Sequence, residues 1–265
     1  MFPGIYDTHI HVGWHAPGVF EGSRGETLLR DMDRAGVLQA WCCHTSALWT
    51  PSRGNRDTLA LVRSHPERLR GLMVVYPQYP EVTSRALAEF DSNRRWWIGL
   101  KLHPSAHRHP LSGTGYERAL AFADERRLIV LVHTWGDGHI QEDYSWQQEI
   151  RGLNGHEELR RVLERYHDAI FIAGHSLNGH WEHAAKLVRG FPNLFLEIST
   201  VNDRGAIAWL CERAGSDRIL FGSDYPFVSM RYTRGTVEIA DITGADRENI
   251  FRRNVERLLA RVEKG

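Results

Sequence analysis

Tyr6-Asp7-Thr8-His9-Ile10-His11-Val12 decides how this chain is read. In an extended strand successive side chains face opposite ways, so Asp7, His9 and His11 share one face and Tyr6, Thr8, Ile10 and Val12 the other. The two imidazoles then stand about 6.6 Å apart along the strand, close enough for their ring nitrogens to converge on one ion. Ile10 and Val12 point away from that ion, as they would beneath covering helices. A lone His-x-His is weak evidence in a chain with 15 His among 265 residues, where chance supplies about 0.8 such pairs. His107-Arg108-His109 is a second pair, so position relative to the rest of the chain has to decide.

Outward from this stretch the pattern alternates between strand and helix. Strands are expected over 5–12, 39–45, 69–76, 97–103, 128–133, 169–175, 194–199 and 219–224. Helices are expected over 26–35, 57–65, 82–90, 116–126, 157–166, 180–189 and 206–213, with two more, 233–242 and 247–262, at the end. Strands that are apolar on both faces and separated by helices make a parallel sheet covered on both sides. Eight repeats at this length favour an α/β fold of the (β/α)8 TIM-barrel type over an open doubly wound sheet. No Gly-x-Gly-x-x-Gly follows the first strand, which removes the main sign of a dinucleotide-binding sheet. No linker rich in Pro, Gly or Ser divides the chain, so one domain over 1–265 is expected. The longest connection, 134–154, mixes Trp135, Gly136, Gly138, His139 and Asp143, as suits a loop over a site.

With 33 basic and 33 acidic residues the formal net charge is zero, which argues against nucleic-acid or membrane partners and for a small-molecule substrate. The 3 Cys include the adjacent pair Cys42-Cys43, which is a reducing-compartment pattern rather than a disulfide framework. The N-terminus shows no secretory leader and no apolar run reaches a membrane span, so a cytoplasmic location is expected.

In such barrels chemistry sits at the carboxyl ends of the strands. Those ends carry His9 and His11 on strand one, Lys101 and His103 on four, His133 on five, His175 on six and Asp224 on eight. The strand starts are Leu69, Trp97, Leu128, Ala169 and Ile219, so the polar residues collect at one mouth. Closure brings strand eight beside strand one, and with it Asp224 beside His9 and His11. Neutral imidazoles with one carboxylate suit Zn2+, and Fe2+, Mn2+ and Co2+ accept the same donors. His175 serves equally as a ligand or as a group polarising substrate. A buried Lys101 can pair with a carboxylate, bind substrate or carry a carbamate, and sequence does not choose. Arg108 offers a guanidinium to a substrate carboxylate, and Trp14 and Trp135 offer flat surfaces. Each residue also has a plainer use in core packing or strand ending.

Tyr6-Asp7-Thr8-His9-Ile10-His11, Gly99-Leu100-Lys101-Leu102-His103-Pro104, Val132-His133, Gly174-His175-Ser176 and Phe221-Gly222-Ser223-Asp224-Tyr225-Pro226-Phe227 occur in the order seen in the amidohydrolase superfamily. The set resembles its family 2 branch, which includes aminocarboxymuconate semialdehyde decarboxylase, related aromatic-acid decarboxylases and lactone hydrolases. The late segment from Asn249 to Leu259 resembles the one that closes those barrels. The resemblance implies a divalent metal on His9, His11, His133 and Asp224, with His175 close by as ligand or electrophile. Lys-x-His-Pro at Lys101 is the pattern of the single-metal branch, implying one ion. Relatives that decarboxylate are often dimers, so a homodimer is compatible with the resemblance. The first expectation is a metal-dependent hydrolase, in which metal-activated water attacks an ester, lactone or amide, Asp224 moves the proton and His175 stabilises the oxyanion. The alternative is a non-oxidative decarboxylase of a small aromatic or unsaturated acid. A third reading keeps the fold as a ligand-binding barrel without turnover.

Overall fold

The computed structural model describes residues 4–13, 25–135, 152–178 and 180–262, with the side chains of Trp135 and Arg204 left out. The expectations for Trp14, for the Trp135 side chain and for the connection over 136–150 fall outside the described residues.

Eight parallel strands lie in sequence order in one sheet: β1 (Ile5–Val12), β2 (Val37–His44), β3 (Leu69–Val74), β4 (Trp97–Leu102), β5 (Ile129–Trp135), β6 (Ile170–Asn178), β7 (Leu194–Glu197) and β8 (Ile219–Leu220). Helices α1 (Gly25–Ala35), α2 (Pro51–Ser64), α3 (Pro80–Ser92), α4 (Pro104–His107), α5 (Thr114–Glu125), α6 (His156–Leu163), α7 (Trp181–Gly190), α8 (Arg204–Ala214), α9 (Met230–Ile239), α10 (Gly244–Glu248) and α11 (Asn254–Val262) run between and after the strands. The architecture is a nearly closed TIM barrel. No helix among the described residues is long and apolar enough to cross a membrane.

Alternation along the strands sorts the apolar residues into two layers. On β5, Ile129 and Leu131 join an interior cluster with Trp41, Leu72, Ile98, Ile170, Ile172, Phe195 and Leu220, while Val130 and Val132 belong to the outer layer under the helices. Val255, Leu258 and Val262 of α11 join the interior cluster, so the last helix plugs the barrel. Burying such side chains contributes about 1.5–3 kcal/mol each relative to exposure, which makes the two layers the main source of stability.

The departures of β1 and β8 from the expected pattern position the mouth. The alternation of β1 breaks between Asp7 and Ile10, where the register against β2 shifts. Below the shift Tyr6 packs on the interior cluster, and above it Ile10 and Val12 face the outer layer. The extra residue is a bulge, and the Asp7 carboxylate satisfies it by accepting from His9 N at 3.2 Å. The ladder of β8 ends at Leu220, not at 224. Beyond it the chain closes on β1 through single hydrogen bonds: Thr8 N donates to Phe221 O (2.9 Å), Asp224 N to His9 O (2.8 Å) and His11 N to Tyr225 O (2.6 Å). Asp224 itself has a left-handed backbone, φ 57°, which ends the strand and re-aims the side chain. Strand six instead continues past 175 to Asn178, although His175, Ser176 and Leu177 all have positive φ.

Candidate metal centre

Closure places Asp224 where two strands meet. Its Oδ1 lies 3.3 Å from His11 Nε2 and 3.5 Å from His9 Nε2. Two donors bonded at about 2.05–2.1 Å to a common tetrahedral ion stand about 3.3–3.4 Å apart, so these separations fit a divalent ion. The three donor atoms lie within 4.8 Å of one another. Two neutral imidazoles and a carboxylate are the donor chemistry of Zn2+, Mn2+, Fe2+ and Co2+.

The surrounding hydrogen bonds fix which His9 nitrogen is available. Lys101, fully buried, puts Nζ 2.8 Å from His9 Nε2. An ammonium only donates, so Nε2 must carry the lone pair and the proton must sit on Nδ1. Nδ1 then donates to Glu197 Oε2 at 2.8 Å. A carboxylate behind a ligating imidazole sets its tautomer, turns its ring and raises its basicity. Glu197 also accepts from His175 N (3.2 Å), from Ser199 Oγ (2.8 Å) and from Ser199 N. Since Ser199 Oγ gives its proton to Glu197, it accepts from His175 Nδ1, 2.9 Å away. His175 Nε2 is thereby left as an acceptor and meets His133 Nδ1 at 3.0 Å. One run of hydrogen bonds thus joins His133, His175, Ser199, Glu197 and His9.

Burial dominates the electrostatics except at His11, where its lowering effect is outweighed by Cys43 and Asp224 and the imidazole rises to about 9. Burial holds His9, His103 and His133 well below the usual imidazole range and His175 at about 4, so these rings are neutral near pH 7. Burial pushes Glu197 up to about 8 against the pull of its donors. Burial also lowers Lys101, opposed by the charges of Cys43, Asp224 and Glu197. At Asp224 the raising effect of burial is outweighed by the His11 hydrogen bond and nearby positive charge, which hold its carboxyl below the ordinary value. The two carboxylates differ in access: the Asp224 side chain is 14% exposed and that of Glu197 0%. Asp224 faces the mouth and Glu197 is sealed behind it.

Of the residues expected at the mouth, His9, His11 and Asp224 converge directly. His175 lies against His9, ring centroids 5.2 Å apart, and His133 against His175. The His103 ring stacks on that of His133 at 3.9 Å, while its Nδ1 accepts from Ala106 N at the start of α4. Lys101 points at His9 inside the cluster, not outward. Arg108 is exposed, at the left-handed end of α4 with φ 48°. From the same turn it is His107 that enters the interior, with Nδ1 2.6 Å from Tyr116 Oη and Nε2 3.1 Å from Leu48 O.

Sequence reasoning missed Glu197, Ser199, Asp7 and Cys43. Glu197 had a signal: one carboxylate closing the apolar run Leu194-Phe195-Leu196. Cys43, whose Sγ lies 3.5 Å from His11 Nδ1, had none beyond facing the barrel interior.

A family model described as Amidohydrolase matches residues 6–261. A search of curated proteins returned no significant match. Among solved structures, the chain is similar to an uncharacterized TIM-barrel protein of Bordetella bronchiseptica, at 18% identity and a TM-score of 0.78, covering 98% of this chain and 99% of that one. It is also similar to 2,6-dihydroxybenzoate decarboxylase from Rhizobium, at 17% identity, a TM-score of 0.74 and 100% of both chains. A dihydroxybenzoic acid decarboxylase from Polaromonas sp. JS666, with bound manganese and the inhibitor 2-nitroresorcinol, matches at 18% identity and a TM-score of 0.75, covering 98% of this chain and 97% of that one. At these identities the likeness shows the fold.

Proposed function

The chain belongs to the amidohydrolase family, whose model spans residues 6–261, and we propose that within it this protein is a metal-dependent, non-oxidative decarboxylase of a small hydroxylated aromatic acid. His9, His11 and Asp224 would hold the ion, with His133 and His175 lining its other side. A divalent ion bound there supplies Lewis acidity toward carboxylate and phenolic oxygens.

The observation that carries the reading is the placement of Asp224: an ionised carboxylate at the mouth, paired with His11, and near the His9 and His175 rings that burial keeps neutral. Asp224 accepts the proton of a substrate hydroxyl ortho to the carboxylate and passes it to the ring carbon that bears the carboxylate. As that C–H bond forms, the C–C bond breaks, its electron pair returns to the ring, CO2 leaves and the phenolate regains a proton from solvent. The parallel His103 and His133 rings offer a flat wall to an aromatic ring. The two similar decarboxylases named above, which act on dihydroxybenzoates by their names, support the same substrate class.

Hydrolysis is the second reading, favoured by the same Asp224 acting as base on water. The test is direct: metal-supplemented protein is given 2,6-dihydroxybenzoate and related hydroxybenzoates with CO2 release followed, and aryl esters and lactones with acid release followed. The proposal expects CO2 and the matching phenol. Acid release from a lactone or ester with no CO2 from any hydroxybenzoate would replace it with the hydrolase.

A further inference from the structure

A second group of imidazoles lies away from the His9, His11 and Asp224 centre. His156 opens α6, His180 immediately precedes α7, and His183 sits in the first turn of α7. Positions 180 and 183 are three apart at a helix start, so their side chains share a face. Helices α6 and α7 pack side by side, which brings His156 to that face. One ring nitrogen from each of the three lies within 4.8 Å of the other two. The ring centroids are 4.0 Å apart for His156 and His183, 5.7 Å for His180 and His183 and 5.9 Å for His156 and His180.

Ring stacking alone would explain neighbouring histidines, but it leaves one atom unaccounted for. His180 Nε2 is buried and has no hydrogen-bond partner among the described residues. A buried ring nitrogen left unsatisfied is costly, and a cation removes that cost. Beside the group, Glu157 sets Oε1 3.5 Å from His156 Nε2 while Arg160 Nη2 donates to its Oε2 at 3.1 Å. A carboxylate held against an imidazole in this way orients the ring for a metal.

We propose that His156, His180 and His183 form a second metal site, which takes a borderline divalent transition ion such as Zn2+ and clamps the start of α6 to the start of α7. Three imidazoles with no oxygen donor among them select Zn2+, Ni2+ or Cu2+ over Mg2+ and Ca2+. Donors around such an ion stand about 3.3 Å apart, so nitrogens no more than 4.8 Å apart have at most about 1.5 Å to close. Side-chain rotation suffices, because His183 is exposed and the other two are half-buried. The stacked pair His156 and His183 opens as it turns toward the ion. The clamp also bears on the first site. His180 N donates to Leu177 O at 2.7 Å, and Leu177 ends the left-handed run that begins at His175.

The test counts ions and needs no substrate. Apo protein is titrated with Zn2+ by calorimetry, and bound zinc is then measured by mass spectrometry after gel filtration. The wild type is expected to hold two ions, and His9→Ala still one. His183→Ala and His156→Gln are each expected to lose the second ion or bind it at least about tenfold more weakly, since each gives up a ligand. Circular dichroism melts confirm that the variants are folded. Cu2+ electron paramagnetic resonance on His9→Ala should show nitrogen couplings that disappear when His183→Ala is added. A wild-type stoichiometry of one, or a second ion whose affinity neither His183→Ala nor His156→Gln changes, overturns the proposal.

Discussion

Lys101 Nζ stands 2.8 Å from His9 Nε2, the nitrogen that also faces Asp224 Oδ1 at 3.5 Å. The ammonium and an ion therefore compete for one lone pair. The same ammonium fixes the tautomer that makes that lone pair available, because it forces the His9 proton onto Nδ1, against Glu197.

Competition at His9 gives the binding of the ion a proton cost. Metal affinity should rise with pH, because the buried ammonium has to release the lone pair and loses its charge more readily as protons become scarce. Replacing Lys101 with Met removes that step. Competition titrations of Lys101→Met with a chelator, between pH 6 and pH 8, should show a shallower pH dependence than the wild type, by up to about one proton per ion. Identical slopes would mean that Lys101 does not contest the site.

Glu197 holds His9 from behind, and Gln keeps its size while replacing one accepting oxygen with an amide that can only donate. Glu197→Gln is expected to weaken metal binding by about 10–100-fold with the fold intact, the usual cost of losing a carboxylate behind a metal-ligating imidazole. Isothermal titration with Mn2+ or Zn2+ measures it directly. Wild-type affinity in this variant would remove Glu197 from the account.

Gly222 is required by the same carboxylate. A Cβ at this position would come 2.5 Å from Glu197 Cδ and closer still to Oε1, inside any real contact distance. Gly222→Ala should push Glu197 off His9 and lower both metal affinity and melting temperature, by about 1–3 kcal/mol in stability for an overpacked site. Retention of full metal affinity in a folded Gly222→Ala protein would show that Glu197 can leave without consequence.

Burial pushes Asp7 up to about 7 from an ordinary 3.8, despite the three hydrogen bonds it accepts from His9 N, Ser223 N and Ser223 Oγ. Between these two values the folded chain binds more protons than the unfolded one, so stability is fully present below about pH 4 and declines as pH rises toward 7. The whole decline from this group is at most about 4 kcal/mol. Asp7→Asn abolishes it. Thermal melts of the apo proteins should show wild-type stability falling more steeply than that of Asp7→Asn across this range, and parallel profiles would contradict the assignment.

The barrel was legible because its signal repeats: eight largely apolar runs, each followed by a helical pattern, with the histidines and Asp224 gathered at the carboxyl ends. His9, His11 and Asp224 were legible for the same reason, since closure follows from topology and brings the last strand to the first. The supporting shell was not. Glu197 is a single carboxylate in a four-residue strand, and only the third dimension shows that it backs His9. The bulge at Asp7 is invisible to alternation, because one extra residue looks like ordinary strand until its partner's register is known. Arg108 is exposed and His107 buried because the turn after β4 ends on a left-handed residue, which no spacing rule announces. His156 and His180 lie 24 positions apart, on helices whose pairing only the fold establishes.

Anomalous diffraction at the metal absorption edge, from crystals grown with Mn2+ or Zn2+, locates the ion directly. A peak is expected within about 2.0–2.3 Å of His9 Nε2, His11 Nε2 and an Asp224 carboxylate oxygen, with Lys101 Nζ moved off His9. A map with no peak between these three side chains, in protein that releases CO2 from a hydroxybenzoate, would contradict it.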